Sequence, residues 1–390
     1  MIVQKYGGSS LARPDQIQSV ADRIAQLHAA GESVLVVVSA MGKTTDQLVS
    51  LAYSVSSSPN RREFDMLLTT GERISMALMS MALNDRGVPS ISFTGSQAGI
   101  FTDDLHSSAR IIDIKPVRAE AELDRGHVVV LAGFQGVSPK TKEITTLGRG
   151  GSDVTAVAMA AYFQADRCEI RKDVDGVHSA DPNTVSGTRH LPHLSYAQLL
   201  DMTFWGAKVL HYRSVELAAL LKIPLVVCLA HTEDQNHQRE TVIDEAAPMY
   251  EQARVISVNS HKDVRWLSID RPDLTAAFHE MSTVLQHASL PLPQILDSQI
   301  AGGRVALLVT APVETLSAIA QVLPLGAEEL SSVTATCQGA FASPLPEQIA
   351  QALSNHSISI HKMLFGAMSL TVIVETKDRE KTLQVLHAIT

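Results

Sequence analysis

Unbroken apolar runs of strand length punctuate the first half of this chain. "SVLVVVSA" (Ser33–Ala40), "HVVVLAGF" (His127–Phe134) and "PLVVCLA" (Pro224–Ala230) have apolar centres with no alternation of apolar and polar positions. In "SVLVVVSA" such continuity predicts a strand buried on both faces; the other two are strand candidates. "MIVQKY", "SISFTG" and "CEIRKD" are further strand candidates. Between them the period changes. Ile17, Val20, Ile24 and Leu27 form a stripe at helical spacing, with Gly31 as its stop. "FDMLLTTGERISMALMSMALNDRG", "SDVTAVAMAAYFQ" and "SYAQLLDMTFWG" also read as helices. Strands alternating with helices predict an α/β domain over 1–246. Its mostly parallel sheet is sandwiched by helices, and its ligands lie beyond the strand C-termini.

The pattern changes after the polar stretch "HTEDQNHQRE" and Pro248. Strands "RVISVNS" and "RWLSID", helix "DLTAAFHEMSTVLQHA", strands "QILDSQ" and "RVALLVTA" and helix "VETLSAIAQVL" form one set. Strand "SSVTATCQG", helix "LPEQIAQALSNH", strands "ISIHKMLF" and "MSLTVIVET" and helix "REKTLQVLHAI" form a second. The repeat predicts two small α+β modules of the split-βαβ, ferredoxin-like type, over 252–325 and 326–390.

Composition narrows the class. Of 390 residues, 45% are apolar and only 4% aromatic, which suits an α/β protein with helices packed on sheets. The net charge is −9 and no long basic run occurs, which disfavours nucleic acid and anionic membranes as partners. Cys168, Cys228 and Cys337 are far apart, without CxxC spacing, so neither disulfides nor structural zinc are expected and a reducing cytoplasm fits best. The first residues do not read as a secretory leader, and no apolar run reaches bilayer length. The histidines show no metal spacing. Met66, Met76, Met79 and Met81 read as core filling.

Candidate chemistry concentrates at strand ends. In "TTLGRGGSDV", Gly148, Gly150 and Gly151 precede a helix whose free N–H groups and positive dipole end attract anions. Arg149 adds a guanidinium fork suited to carboxylate or phosphate, and Ser152 or Asp153 is the expected cap. The same residues would also serve an ordinary glycine turn. "KYGGSS" sets Lys5 beside Gly7 and Gly8, a point charge next to exposed backbone donors, as a polyphosphate requires. "SAMGKTTD" brings Ser39, Thr44, Thr45 and Asp46 to a strand mouth. Glu72, in "TTGERIS", lies in an apolar stripe; a solvated position is the ordinary expectation, and a buried one would need a cationic partner such as an ammonium group.

"QKYGGSSL", "VVVSAMGKTTD", "LLTTGERIS", "SFTGSQAGI", "VVLAGFQGV", "TTLGRGGSD", "DVDGVHSADP" and "GAKVLHYRSVELA" follow one another in the order found in aspartate kinases. Over about Met1–Val227 the chain resembles that branch of the amino-acid kinase family, and its C-terminal repeat resembles the paired ACT modules that follow the kinase domain there. The resemblance implies the amino-acid kinase fold and ATP-dependent phosphorylation of the L-aspartate β-carboxylate to 4-phospho-L-aspartate, at the first step of the aspartate pathway or in a specialised branch. It implies ATP and Mg2+, with no protein ligand assigned to the metal. Lys5, Asp153 and Lys208 are the implied catalytic residues. Lys5, Gly7 and Gly8 would hold the ATP phosphates together with Gly150, Gly151 and Ser152, and Ser9 would lie near the substrate. Arg149 would pair with the aspartate α-carboxylate, Glu72 would take its ammonium, and Ser39 and Thr45 would orient its carboxylates. Lys172, Asp173, His178 and Asp181 would wrap the nucleotide, with Lys208 as a further cation. Two other readings stay open: a kinase-like regulatory subunit that senses amino acids, and a kinase for another acidic metabolite.

Several positions depart from the family pattern. Lys172 replaces Thr or Ser, His178 replaces Tyr, Asn183 replaces Arg, and Val154 and Tyr212 are altered. Losing an aromatic ring and an arginine predicts weaker nucleotide binding, partly offset by Lys172 and His178. The effector loops "IDRPDLTAAF" and "CQGAFASPLPEQI" lack the glycine that usually follows proline, so feedback by lysine or threonine is left open. The modules are still expected to join chains into a homo-oligomer through their sheet edges.

Overall fold

The unbroken apolar runs become the middle of an eight-stranded sheet. A computed structural model describes residues 1–231, 239–245, 254–269, 273–288, 290–301, 304–338 and 344–390. From the start run β1 (Ile2–Tyr6), α1 (Pro14–Ala29), β2 (Val34–Val38), α2 (Thr44–Val55), the long α3 (Arg61–Asn84) and β3 (Ser90–Phe93). Next come β4 (Ile100–Thr102), β5 (Ile111–Ile114), α4 (Val117–Asp124), β6 (Val128–Ala132), β7 (Gln135–Val137) and β8 (Ile144–Thr146). Then follow α5 (Gly151–Tyr162), β9 (Arg167–Lys172), β10 (Val177–His178), β11 (His190–Leu191), β12 (His193–Ser195), α6 (Tyr196–Phe204), α7 (Tyr212–Leu221), β13 (Leu225–Leu229) and β14 (Glu240–Asp244).

The large sheet has the order β12-β14-β13-β9-β1-β2-β6-β3 and is parallel except where β14 meets β13. Every residue of β2 and β6 is buried. Val34, Val36, Val38, Val128 and Val130 share one core with Ile17, Val20 and Ile24 of α1 and Met79 and Leu83 of α3. Their alternates point to the opposite side, where α5 packs across β1, β2 and β9. That helix is buried at every position from Gly151 to Ala160, the mark of a central helix. Gly31, at φ +86°, follows the end of α1 in the left-handed conformation. A four-stranded sheet, β5-β4-β7-β8, carries the chain to the glycine-rich stretch before α5. Met81 departs from the expected core role: at 61% exposure it lies on the outer side of α3.

A polar network lies within this unit. Gln4 and Glu169 are paired in register across β1 and β9, and Gln4 Nε2 donates to Glu169 Oε2 at 2.7 Å. Arg171 Nε donates to the same oxygen at 2.9 Å, and Tyr6 OH donates to Gln4 Oε1 at 3.0 Å. All four side chains are buried. Burial alone would raise the Glu169 pKa, but Arg171 and Arg167 hold it below the ordinary carboxylate range.

The C-terminal part is one antiparallel sheet, β16-β17-β15-β18-β20-β19. Its elements are β15 (Arg254–Ile269), α8 (Leu274–Ala288), β16 (Gln294–Ala301), β17 (Arg304–Thr310), α9 (Val313–Ala320), β18 (Leu330–Gln338), α10 (Leu345–Asn355), β19 (Lys362–Phe365), β20 (Ser369–Glu375) and α11 (Arg379–His387). Two strands were expected where β15 runs unbroken. Its polar middle, around His261–Asp263, is absorbed by a register shift against β18. The two halves of β15 serve different cores. Val255 and Val258 pack with Val333, Leu353, Leu370 and Leu386, whereas Leu267 and Ile269 pack with Met281, Leu285, Leu307 and Ile319. This arrangement is compatible with ACT-like modules.

Two compact units result. The first comprises Met1–Val177, His190–Leu200 and Lys208–Pro248; the second comprises His178–Arg189, Asp201–Ala207 and Met249–Thr390. Among the described residues, no helix is long and apolar enough to cross a membrane.

The buried network gives a stability prediction. Replacing Arg171 with Met leaves Glu169 buried beside fewer cations and is expected to cost about 3–5 kcal/mol in urea unfolding. The double variant Arg171→Met/Glu169→Leu should recover most of that loss. A double variant as unstable as the single one would contradict it.

Candidate active site

Backbone hydrogen bonds tie the C-terminal ends of four parallel strands side by side. Ser39 N–H donates to Tyr6 O at 3.2 Å, Gly42 N–H to Gly8 O at 2.9 Å, Gly133 N–H to Val38 O at 3.0 Å and Gly7 N–H to Arg171 O at 3.2 Å. The loops leaving β1, β2, β6 and β9 therefore form one rim, where ligands of parallel sheets bind. Close approach requires glycine at two points. A Cβ on Gly8 would come within 2.6 Å of Ala40 O, and one on Gly133 within 2.8 Å of Ser152 Cβ.

At this rim Lys5 Nζ lies 2.6 Å from Asp153 Oδ1, and both side chains are only 8% exposed. Asp153 Oδ1 makes this ion contact without accepting an aligned hydrogen bond. The expected cap is corrected here. Ser152 and Asp153 lie inside α5, and the N-cap is Gly150 in the left-handed conformation, at φ +71°. A side chain at that N-cap has no room, since a Cβ on Gly150 would come within 2.2 Å of His211 Cβ. Asp153 is thereby free to face Lys5. Ser152 and Asp153 lie in the first turn, where helices leave backbone N–H groups without intrahelical partners. Gly151 is buried, packed close to Leu147 and Phe134.

Glu72 is buried, not solvated. It is 3% exposed because Gly71 lets α3 press against the loop after β2; a Cβ on Gly71 would meet Ala40 Cβ at 2.8 Å. Ala40 N–H donates to Glu72 Oε1 at 3.2 Å, while Oε2 is buried with no hydrogen-bond partner among the described residues. Burial pushes the carboxyl up to about 7, opposed only by backbone N–H groups. An uncompensated buried carboxylate oxygen calls for a cationic ligand.

The other predicted residues divide. Ser39 is half-buried at the end of β2, Thr45 is half-buried in the first turn of α2, and Ser9 is exposed in the turn after Gly8. Arg149 stands exposed between Gly148 and Gly150, which both have positive φ. His211, beside Gly150, has its pKa lowered by burial and by Arg213, against the opposing field of Asp153. Lys172, at the end of β9, donates through Nζ to Val209 O. Burial depresses its pKa, Asp153 counters that and Lys5 adds to it. Lys172 thus belongs to the same charge cluster. Asp173 and Lys208 are exposed, next to Lys172 and Val209 respectively. His178 and Asp181 belong to the second compact unit. There Asp181 Oδ1 accepts from Asn183 N–H at 2.9 Å, and the neighbouring Ala180 and Val185 pack into that unit's core.

Two charged residues escaped the sequence reading. Asp65 lies seven residues before Glu72 on α3 and is fully buried; a second carboxylate two helical turns from Glu72 was the available signal. Arg213 donates to Leu147 O at 2.6 Å and to Ala109 O at 3.1 Å.

The model of the amino acid kinase family matches residues 1–228. The aspartokinase of Mycolicibacterium smegmatis is 37% identical over 401 residues, covering 99% of this chain and 95% of that protein. The chain belongs to the aspartokinases of the amino acid kinase family. The fold of this aspartokinase family member matches E. coli aspartokinase III solved with aspartate and ADP in the R-state. That match has a TM-score of 0.81 and 21% identity over 100% of this chain and 99% of that one. The T-state structure of the E. coli protein with lysine and aspartate matches at a TM-score of 0.72 and 22% identity, over 100% and 99% of the two chains.

Glu72 sets a pH dependence of stability. Its folded pKa, about 7, exceeds the ordinary carboxyl value of 4.5, so the folded state holds the proton more tightly and stability falls as pH rises from 4.5 towards 7. Glu72→Gln removes that loss. In ligand-free protein the variant should match the wild type at pH 4 and exceed it at pH 8 by up to about 3 kcal/mol. Denaturation across pH checks this; a wild type that gains on the variant above pH 5 would refute it.

Proposed function

We propose that this aspartokinase family member transfers the γ-phosphoryl group of ATP to the β-carboxylate of L-aspartate, forming 4-phospho-L-aspartate and ADP. The observation that carries the reading is Glu72 Oε2, a buried carboxylate oxygen without a hydrogen-bond partner among the described residues, on the same rim as the Lys5–Asp153 pair. An α-ammonium group satisfies Glu72, and a polyphosphate satisfies Lys5. The E. coli relative of the same fold was solved with aspartate and ADP, which supports the same pair of ligands here.

Phosphoryl transfer depends on positioning and charge neutralisation more than on covalent help. Lys5, the backbone N–H groups of Gly7 and Gly8, and the first turn of α5 at Gly150, Gly151 and Ser152 would hold the phosphates. Lys172, Asp173 and Lys208 would extend the site along the nucleotide. Arg149 would take the α-carboxylate through its fork, Glu72 the ammonium, and Ser9, Ser39 and Thr45 the remaining substrate oxygens. The β-carboxylate oxygen attacks γ-phosphorus as the bond to the ADP oxygen breaks. Lys5 offsets charge on the transferring group, and Asp153 keeps the Lys5 ammonium in place until the phosphates arrive. Mg2+ belongs to the proposal as the nucleotide's counter-ion, held by phosphate oxygens, water and one or two carboxylates. The buried Asp153 carboxylate at this rim would be one such donor, and the ion would supply further charge neutralisation.

Over the rest of the chain we propose a kinase domain at 1–246 and ACT-like modules at 252–325 and 326–390 that join copies of the chain. A lysine effector is supported by the lysine-bound T-state structure of the E. coli relative. The loop residues 270–272 and 339–343, where effector contact was considered, lie outside the described residues.

Hydroxylamine trapping of acyl phosphate, with ADP release as the second readout, tests the reading. L-aspartate should give hydroxamate, and succinate, which lacks the ammonium, should be slower by about 100-fold or more. Glu72→Gln should remove most of that preference. Lys5→Ala should lower kcat by about 100-fold or more. Equal turnover of succinate and L-aspartate by the wild type would overturn the assignment of Glu72, and turnover of L-glutamate in preference to L-aspartate would overturn the substrate.

A further inference from the structure

Glu72 is not the only carboxylate that α3 buries. Asp65, two turns earlier and fully buried, accepts a hydrogen bond from Thr146 Oγ1 at 2.6 Å. Ser107 N–H approaches both its oxygens at 3.1 Å, Ser107 Oγ donates at 3.3 Å, and His106 Nδ1 lies at 2.7 Å. These partners lead to one place. Thr146 ends β8 three residues before Arg149. Ser107 packs beneath Gly148, where a Cβ would come within 2.9 Å of Ser107 O. Gly148 turns at φ +75°. Ala109 N–H donates to Thr146 O at 2.9 Å. From α7, Arg213 bridges Leu147 O and Ala109 O.

The root of the Arg149 loop is therefore pinned by a carboxylate from one helix and a guanidinium from another, while Arg149 stands exposed above it. A role in folding alone would be met as well by an apolar side chain, because burying a carboxylate carries a desolvation cost. What the carboxylate adds is direction. Its two oxygens fix Thr146 and Ser107 together, on the helix that also carries Glu72. We propose that Asp65 is a positioning residue for amino-acid binding, setting the Arg149 loop at a fixed distance from Glu72. The α-carboxylate and ammonium groups of the substrate would then be met by two side chains referenced to one rigid helix. This inference rests on the reading of Arg149 as the α-carboxylate ligand.

Steady-state kinetics on the full chain tests it, varying aspartate and ATP separately for Asp65→Asn, Thr146→Val, Thr146→Ser and Arg149→Ala. Asp65→Asn and Thr146→Val should raise the aspartate KM by about tenfold or more while moving the ATP KM and kcat by less than about threefold. Thr146→Ser, which keeps the hydroxyl, should stay near the wild type. Circular dichroism and thermal melts identify variants that remain folded at the assay temperature. Thr146→Val covers the case in which Asp65→Asn does not fold. If folded Asp65→Asn and Thr146→Val keep the wild-type aspartate KM while Arg149→Ala raises it, the positioning role is overturned. If Arg149→Ala itself leaves the aspartate KM unchanged, the reading of Arg149 has failed instead. If the aspartate and ATP KM values rise together in Asp65→Asn and Thr146→Val, Asp65 supports the fold alone and the proposal falls.

Discussion

The contact between Lys5 and Asp153, 2.6 Å apart and almost wholly out of water, is the interaction on which the rest of the site depends. Two opposite charges removed from solvent are tolerable only while each compensates the other. A lysine ammonium at the end of a buried strand would otherwise stand uncompensated. Asp153 holds the ammonium at the rim, where the proposed polyphosphate would meet it. Lys172, whose pKa burial depresses, adds a cation that the usual family pattern lacks.

The sheet supplies the precision. Parallel strands deliver their loops to one edge, and cross-loop hydrogen bonds lock Tyr6, Gly8, Val38 and Arg171 to their neighbours. Glycine permits the contacts that side chains would block, at Gly8 against Ala40 and at Gly150 against His211. Helix α3 then brings Glu72 to the same edge from below, through Gly71. Lys5, Glu72 and Asp153 are thus carried on a strand and two helices rather than on loops.

Much of this was legible in the sequence, for identifiable reasons. A continuous run of strand length suits a strand covered on both faces, as at β2, and β6 and β13 lie where the other apolar runs are. The position of Lys5 near the end of a strand, just before a glycine pair, was legible because "MIVQKY" reads as a strand that stops at those glycines. The burial of Glu72 was not, since periodicity places it on a stripe but does not say how closely the helix approaches. That depends on Gly71 meeting Ala40, a tertiary contact. The cap of α5 was misread because Ser and Asp are the usual N-caps, whereas crowding by His211 makes Gly150 the cap. Helices α2, α4 and α7 were not read as elements of the pattern, their apolar faces being short or shared with loops. The long β15 was read as two strands because its polar middle resembles a turn; its ends face two separate cores.

The most direct measurement is a crystal structure of the protein with ADP and L-aspartate bound. Phosphate oxygens should lie within hydrogen-bond distance of Lys5 Nζ and the Gly7–Gly8 backbone, with the amino group on Glu72 Oε2 and the α-carboxylate on Arg149. A nucleotide and an amino acid bound elsewhere, with the Lys5–Asp153 contact unchanged and Glu72 still without a partner, would contradict it.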